Sequence, residues 1–221
     1  MVQVPAPISP RGRPKVRERN RRRILDAARD LVAVGGMDAL SMRTLAARAG
    51  VSSTTLYNLF GEKDEVVRVL AHEILRDIDA AFVDVVAEDP IEQLRARILM
   101  LVDHVIDHAP PSLVSAVLED AVLTEQINAQ WESRTLVESG IADAVGRGLL
   151  RDDLHPRVLA EHVRAGLLHQ QRLWAAAVID DEQYRAAAAY GVDVALIAVA
   201  CGALRDRLLD HLRANEAVLR A

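Results

Sequence analysis

The stretch LAARAGVSSTTLYNLF, residues 45–60, constrains the fold more than any other part of the chain. Within it, Ala46, Gly50 and Leu56 are separated by four and six positions. A helix-turn-helix needs a small residue where its helices pass closest, a glycine for positive φ at the turn, and an apolar residue that seals the second helix. These three residues meet those needs, although alanine-rich helices also produce the spacing by chance. The stretch therefore predicts two short helices joined by a tight turn.

Apolar residues recur at helical spacing along most of the chain. We expect the first helix to begin within residues 15–19 and to stop at Gly35-Gly36, and we expect Ser41 and Ser52 to cap the two short helices. Further helices are predicted over residues 62–88, 91–108, 112–122, 125–145, 156–178, 182–203 and 204–219. No alternating strand pattern and no hairpin signal occurs in the sequence. The predicted fold class is all-α.

Charge is divided unevenly along the chain. The first sixty residues hold 11 basic and 4 acidic residues, whereas the rest of the chain holds 16 basic and 28 acidic residues. A basic N-terminal segment joined to an acidic body is typical of a nucleic-acid-binding module attached to a domain that does not contact nucleic acid.

The cysteine content, the N-terminal sequence and one apolar segment indicate the cellular compartment. Cys201 is the single cysteine, which excludes a disulfide framework within the chain and fits a reducing, cytoplasmic setting. The basic, proline-rich N-terminus lacks the apolar core of a secretory signal. Residues 186–204 are apolar enough to suggest a membrane span, but Asp193 lies near their centre, where a charge costs about 2.5–3.5 kcal/mol. We therefore expect a buried helix there and no membrane partner.

A longer stretch, GGMDALSMRTLAARAGVSSTTLYNLFGEKDEVV, resembles the N-terminal domain of the TetR family of transcriptional regulators. The shared features are a glycine that closes the first helix, a Ser/Thr cap, an A-x-x-A-G-V-S turn, an L-Y-x-x-F helix end and a lysine that opens the next helix. Farther on, GRGLLRDDLHP is similar to the G-x-L-R-x-D-x-x-P segment common in that family. The resemblance implies a flexible basic arm over residues 1–18, a three-helix DNA-binding domain over 19–62, and a larger helical ligand-binding and dimerisation domain over 63–221.

The function that the resemblance implies is a homodimeric repressor that a small-molecule ligand releases from a palindromic double-stranded operator, with no cofactor. The alternatives are an activator, or a regulator without a small-molecule effector. A helical enzyme or metal-binding protein is a third class. The chain has no G-x-S-x-G, no phosphate-binding glycine loop and no H-E-x-x-H, and we predict that it is not an enzyme.

By the same resemblance, the second helix of the pair would enter the major groove. The positions expected to reach base edges are Ser52, Ser53, Thr54 and Asn58, and those expected to hold phosphates are Ser41, Arg43, Tyr57 and Lys63. The ring of Tyr57 is also expected to pack inside the domain. Two positions depart from the family: Thr54 replaces a common glycine and adds a side chain at the bases, and Leu59 replaces a histidine or tyrosine that contacts phosphate.

The N-terminal RGRP sequence is the core of a minor-groove-binding motif. Glycine and proline keep such a segment narrow and extended, and arginines reach into the negative groove of A·T-rich DNA. Arg11 and Arg13 are therefore predicted to bind the minor groove, with a solvated basic tail as the alternative. The later arginines, Arg17 to Arg23, are expected to face the DNA backbone from the first helix.

The helices between residues 62 and 145 are expected to enclose a ligand cavity. The candidate lining residues are Phe82, Met100, His104 and Trp131, and ordinary core packing is the alternative for each of them. His104 and His108 stand four positions apart, a spacing that could bind a metal from one helical turn. Because no third ligand is identifiable, a solvated helix face is the favoured interpretation, and no metal site is predicted.

Overall fold

The computed structural model describes residues 12–82, 84–87, 89–130 and 135–220. The α-helices within these ranges are α1 Gly12–Ala39, α2 Met42–Ala49, α3 Ser53–Phe60, α4 Lys63–Phe82, α5 Pro90–His108, α6 Pro111–Glu119, α7 Ala121–Gln130, α8 Leu136–Gly146, α9 Pro156–Ala175, α10 Asp181–Ile197 and α11 Ala203–Leu219. The described residues form no strand beyond an isolated bridge between Leu150 and Ala200. The predicted all-α class is confirmed.

The first helix begins earlier than the sequence predicts. It starts at Gly12, so residues 12–18 of the predicted arm are helical. Pro14 lies in its first turn, where the missing proline N–H has no helical partner to lose and the fixed φ suits the helix. At the other end, Gly36 adopts φ 66°, which interrupts α1 at the glycine pair expected to stop it. Proline is thus a helix-start signal here rather than a sign of an extended arm.

Two predicted helices have different bounds in the structure. The segment expected to be helical to residue 122 ends at Glu119, because the carboxylate of Asp120 accepts hydrogen bonds from the N–H groups of Val122 and Leu123 at 2.9 and 3.0 Å. Those bonds cap the start of α7. The segment predicted as one helix over 125–145 corresponds to α7 and α8, and residues 131–134 between them lie outside the described ranges.

Tertiary contacts divide the chain into two compact units between Leu70 and Ala71. This division lies inside α4, whereas the sequence places the domain boundary before it. The first turns of α4 contribute buried side chains to the N-terminal unit. The apolar core of that unit consists of Ile24, Leu25, Ala28, Val32, Leu40, Leu45, Ala46, Ala49, Leu56, Phe60, Val66, Val67 and Leu70.

The C-terminal unit has two hydrophobic clusters along the length of α5. One surrounds Leu94 and Ile98 and includes residues of α8, α9, α10 and α11. The other surrounds Val102 and Val105 and includes residues of α4, α6, α9 and α10. The N-terminal half of α9 contributes Val163 to the first cluster, and its C-terminal half contributes Trp174 to the second. Both α5 and α9 therefore run from one cluster to the other.

A buried ion pair joins α5 to α10. Asp193 is fully buried, and the guanidinium of Arg95 donates to its two carboxylate oxygens at 2.7 and 3.1 Å. The same guanidinium lies 3.3 Å from a carboxylate oxygen of Glu92 and 3.4 Å from His211 Nε2 on α11. Burial raises the pKa of Asp193, and the charge and hydrogen bonds of Arg95 offset this only in part.

This pair accounts for the acidic residue in the apolar segment 186–204. The alanines at 186–189 are buried with it, as expected for a helix enclosed by others. No helix in the described part of the chain is long and apolar enough to span a bilayer.

We expect Asp193→Ala to lower the free energy of unfolding by about 3–5 kcal/mol, because it removes the fully buried carboxylate that accepts two hydrogen bonds from the largely buried guanidinium of Arg95. The measurement is the denaturant midpoint and slope. Asp210→Ala removes an exposed pair with Arg213 and is the matched control, with an expected loss below about 1 kcal/mol.

Replacing both partners, as in Arg95→Met with Asp193→Leu, should recover most of the lost stability, because desolvation of the pair opposes its attraction. Equal losses of unfolding free energy for Asp193→Ala and Asp210→Ala would contradict a stabilising role for the Arg95–Asp193 pair.

Candidate nucleic-acid interface and internal cavity

The turn between α2 and α3 depends on glycine at position 50. Gly50 adopts φ 61° and ψ 41°, and its N–H donates to the carbonyls of Ala46 and Ala47. Its own carbonyl lies 3.5 Å from Nη2 of Arg23 on α1. A Cβ at this position would lie 2.7 Å from that nitrogen. The left-handed conformation favours glycine, as the sequence predicts for a helix-turn-helix, whereas the flexible end of the Arg23 side chain could move away from a Cβ.

The serines before α2 and α3 serve as helix caps. Ser41 Oγ accepts a hydrogen bond from the Thr44 N–H at 3.1 Å, and Thr44 Oγ1 accepts one from the Ser41 N–H at 3.0 Å. Ser52 Oγ accepts from the Thr55 N–H at 3.1 Å. Both hydroxyls and the Ser41 amide are therefore engaged in local structure. Their predicted contacts with phosphate and bases would have to be made in addition to these bonds.

The solvent-facing side of α3 carries four of the predicted DNA-binding residues. Leu56 and Phe60 are buried on the opposite side of the helix. The exposed positions are Ser53, Thr54, Tyr57 and Asn58. Tyr57 is 54% exposed, so the expectation that its ring packs inside the domain is wrong. The ring follows the polar face because α3 is short and its apolar side is filled by Leu56 and Phe60.

Arg43 and Lys63 differ in their surroundings. Arg43 is exposed on the first turn of α2. Lys63 is half-buried, and its Nζ donates to the Met37 carbonyl at 3.0 Å, which ties the start of α4 to the segment after Gly36. An ammonium has three donors, so two remain available for a phosphate.

Three arginines of the N-terminal unit make contacts within it, and for Arg21 and Arg23 a DNA-facing role stays a prediction. The guanidinium carbon of Arg21 lies 5.2 Å from the ring centroid of Phe60, a cation–π geometry, and Arg23 reaches Gly50. Arg48 pairs with Asp30 at 3.1 Å, which links α2 to α1. Sequence spacing gives no signal for these contacts, since they depend on how α1 crosses α2 and α3.

Three predicted residues fall partly or wholly beyond what the structure describes. Arg11 and Trp131 lie outside the described residues, and only the backbone of Arg13 is described, in the first turn of α1. Minor-groove binding by the two arginines stays a prediction, as does a ligand contact by Trp131.

The C-terminal unit contains a cavity of about 150 Å³. Its wall is apolar apart from a few polar groups, and Phe82 is part of it. The lining residues on α4 to α6 are Ala71, Ile74, Leu75, Ile78, Phe82, Leu94, Arg97, Ile98, Leu101, Val105, Ala109, Leu113, Val114, Val117 and Leu118. Those on α7 to α9 are Thr124, Ile127, Asn128, Leu136, Val137, Arg164, Leu167, Leu168 and Gln171.

Met100 and His104 are not among the lining residues. Met100 packs half-buried against the cluster around Val102. The ring of His104 stacks on His108 with centroids 4.2 Å apart. Burial and the nearby His108 lower the pKa of His104. Among the residues that the structure describes, no group of three or more potential ligands could hold a metal ion.

Comparison with known proteins identifies the N-terminal unit. The family profile described as "Bacterial regulatory proteins, tetR family" matches residues 24–70. A curated relative, the HTH-type transcriptional repressor KstR of Rhodococcus jostii (strain RHA1), is 31% identical over 142 residues, which are 64% of this chain and 60% of KstR. The chain thus matches about 60% of the length of that relative.

Solved structures share the whole fold. RolR in complex with resorcinol superposes with a TM-score of 0.66 at 16% identity, covering 90% of this chain and 95% of RolR. The TetR-family repressor FadR of Thermus thermophilus, in complex with lauroyl-CoA, gives a TM-score of 0.58 at 18% identity. The superposition covers 89% of this chain and 93% of FadR. With the helix-turn-helix geometry, the profile match shows that residues 24–70 form an N-terminal domain of the TetR-family type, and the superpositions show that the chain shares the fold of these solved structures.

Proposed function

We propose that the protein is a homodimeric repressor that leaves a palindromic operator when a small molecule occupies its cavity. The observation that carries this proposal is that one chain combines an exposed polar helix on a helix-turn-helix with an apolar cavity in a separate compact unit. The first feature suits base recognition, and the second suits a ligand.

Base recognition would depend on hydroxyl and amide groups. The exposed face of α3 has Ser53, Thr54 and Asn58 and no arginine that could bind guanine through two hydrogen bonds. Asparagine pairs in that way with adenine, and the threonine methyl can contact the methyl group of thymine. The operator half-site is therefore expected to contain A·T pairs opposite α3.

Dimerisation would use α9 and α10. Gly191, Val194 and Ala198 form an exposed stripe of small and apolar residues at helical spacing on α10. On α9, Val158 is 69% exposed, and Ala165 and Gly166 lie farther along the same helix. Apolar side chains exposed on neighbouring helices are typical of an interface. A two-fold dimer would present two copies of α3 to successive half-sites about one helical turn of DNA apart.

Ligand-induced release requires that the ligand bind one conformation better than the other. The FadR and RolR structures each hold a small organic molecule, lauroyl-CoA and resorcinol respectively. By analogy, a ligand in the cavity between α4 and α9 would favour a state in which the two recognition helices no longer match the groove spacing.

We expect Asn58→Ala to weaken binding to a DNA fragment from the region upstream of the gene about tenfold to a hundredfold, because a good pair of hydrogen bonds to one base contributes about 1–3 kcal/mol of discrimination. Fluorescence anisotropy at fixed salt measures the affinity. Binding to DNA of scrambled sequence is the internal control and should not change. An equal loss on both DNAs would contradict a base contact.

Deletion of residues 1–11 should weaken operator binding and reduce its salt dependence. Each lost phosphate contact removes about 0.9 from the slope of log affinity against log salt. The deletion leaves α1 intact, since that helix begins at Gly12. An unchanged slope in a salt titration would exclude a DNA contact by Arg11.

Val194→Asp should convert the dimer to a monomer, because it places a charge in the exposed stripe of α10, where Val194 is 45% exposed. Light scattering after gel filtration gives the molar mass. Val122→Asp, at a 67% exposed valine of α7, is the matched control and should leave the mass unchanged. A dimeric Val194→Asp variant would place the interface elsewhere.

A further inference from the structure

The cavity wall contains positive charge without a matching negative charge. Arg97 and Arg164 line it, and no aspartate or glutamate belongs to its described lining. The guanidinium of Arg164 pairs with Glu161, one helical turn earlier on α9. The charge of Arg97 is therefore the one that the wall leaves uncompensated.

Arg97 differs from its neighbour on the same helix. Arg95 binds Asp193, Glu92 and His211, whereas Arg97 makes no hydrogen bond or ion pair with any residue that the structure describes. Its Nε is buried without an acceptor. A buried donor of a charged group without a partner is costly, and an anion that reached it would remove that cost.

Arg97 lies near one end of the cavity wall that α5 forms. On α5 the lining residues are Leu94, Arg97, Ile98, Leu101, Val105 and Ala109, which lie along one face. Leu94 and Ile98 belong to the cluster that includes Val163 of α9, so Arg97 lies toward that end. From Arg97 to Val105 the helix rises about 12 Å, at 1.5 Å per residue. The wall beyond Arg97 on α5 is apolar throughout.

We propose that the cavity binds a carboxylate carried on an apolar body, with the carboxylate on Arg97 and the body among the α4, α5 and α6 side chains. A guanidinium binds a carboxylate through charge-assisted hydrogen bonds, and the apolar wall excludes the water that would screen them. An apolar cavity of about 150 Å³ in another protein accepts benzene, so the body is of that order of size. This inference deepens the proposed function by naming the ligand class, and it rests on that function only for the effect on DNA.

The experiment is calorimetric titration of the full chain with octanoate, benzoate and the neutral analogue 1-octanol. Octanoate should bind about tenfold to a hundredfold more tightly than 1-octanol, as expected for a hydrogen bond to a charged group. The comparison of octanoate with benzoate distinguishes an alkyl from an aryl body. Arg97→Gln should remove the preference for octanoate and leave the affinity for 1-octanol unchanged.

Two further variants guard against a general loss of structure. Arg97→Lys keeps the charge and should retain part of the preference for octanoate, with an unchanged melting temperature. Arg205→Gln changes an exposed arginine of α11 that does not line the cavity, and it should bind octanoate as the unmodified chain does.

The proposal is overturned if octanoate and 1-octanol bind equally well, if neither octanoate nor benzoate binds, or if Arg97→Gln weakens octanoate and 1-octanol to the same extent. Operator release is measured separately by anisotropy. Arg97-dependent octanoate binding without DNA release would contradict the proposed repressor mechanism and leave the ligand class standing. If 1-octanol releases the protein from DNA as efficiently as octanoate does, the proposed ligand class is contradicted and the proposed repressor mechanism stands.

Discussion

The C-terminal unit depends on a charge that would be unfavourable alone. Asp193 is fully buried on a helix rich in alanine, and it is accommodated because Arg95 of α5 donates two hydrogen bonds to it. This pair fixes α10 against α5. With α5 held in register, Arg97 two residues later faces the cavity instead of the pair. The same helix therefore presents one arginine that is paired with a buried carboxylate and another that has no ion-pair partner among the described residues.

Local features of the fold were predictable from the sequence. The positive φ of Gly50, the caps at Ser41 and Ser52 and the interruption of α1 at Gly36 depend on residues that are adjacent along the chain. Capping and turn formation involve only a few neighbouring residues, so their sequence signals are strong.

Features that depend on distant residues could not be predicted from spacing. The partner of Asp193 is 98 positions away, and the contact of Arg23 with the Gly50 carbonyl spans 27 positions. Of the four proposed ligand contacts, Phe82 lines the cavity, whereas Met100 and His104 do not, and helical periodicity places all three on apolar or half-apolar faces. The exposed ring of Tyr57 shows the same limit, because the size of an aromatic side chain does not tell which side of a short helix has room for it.

On α2 and α3, the residues that cap the helices differ from those that are exposed, and this difference affects how the DNA-binding surface can change in evolution. The hydroxyls of Ser41 and Ser52 cap the first turns of α2 and α3, while Ser53, Thr54 and Asn58 are exposed on the surface of α3. Surface changes of that kind usually alter stability by less than about 0.5 kcal/mol. If α3 reads the operator as proposed, duplicated genes could acquire new target sequences through these three positions without passing through an unstable intermediate, whereas changes at the two serines would incur a folding penalty first.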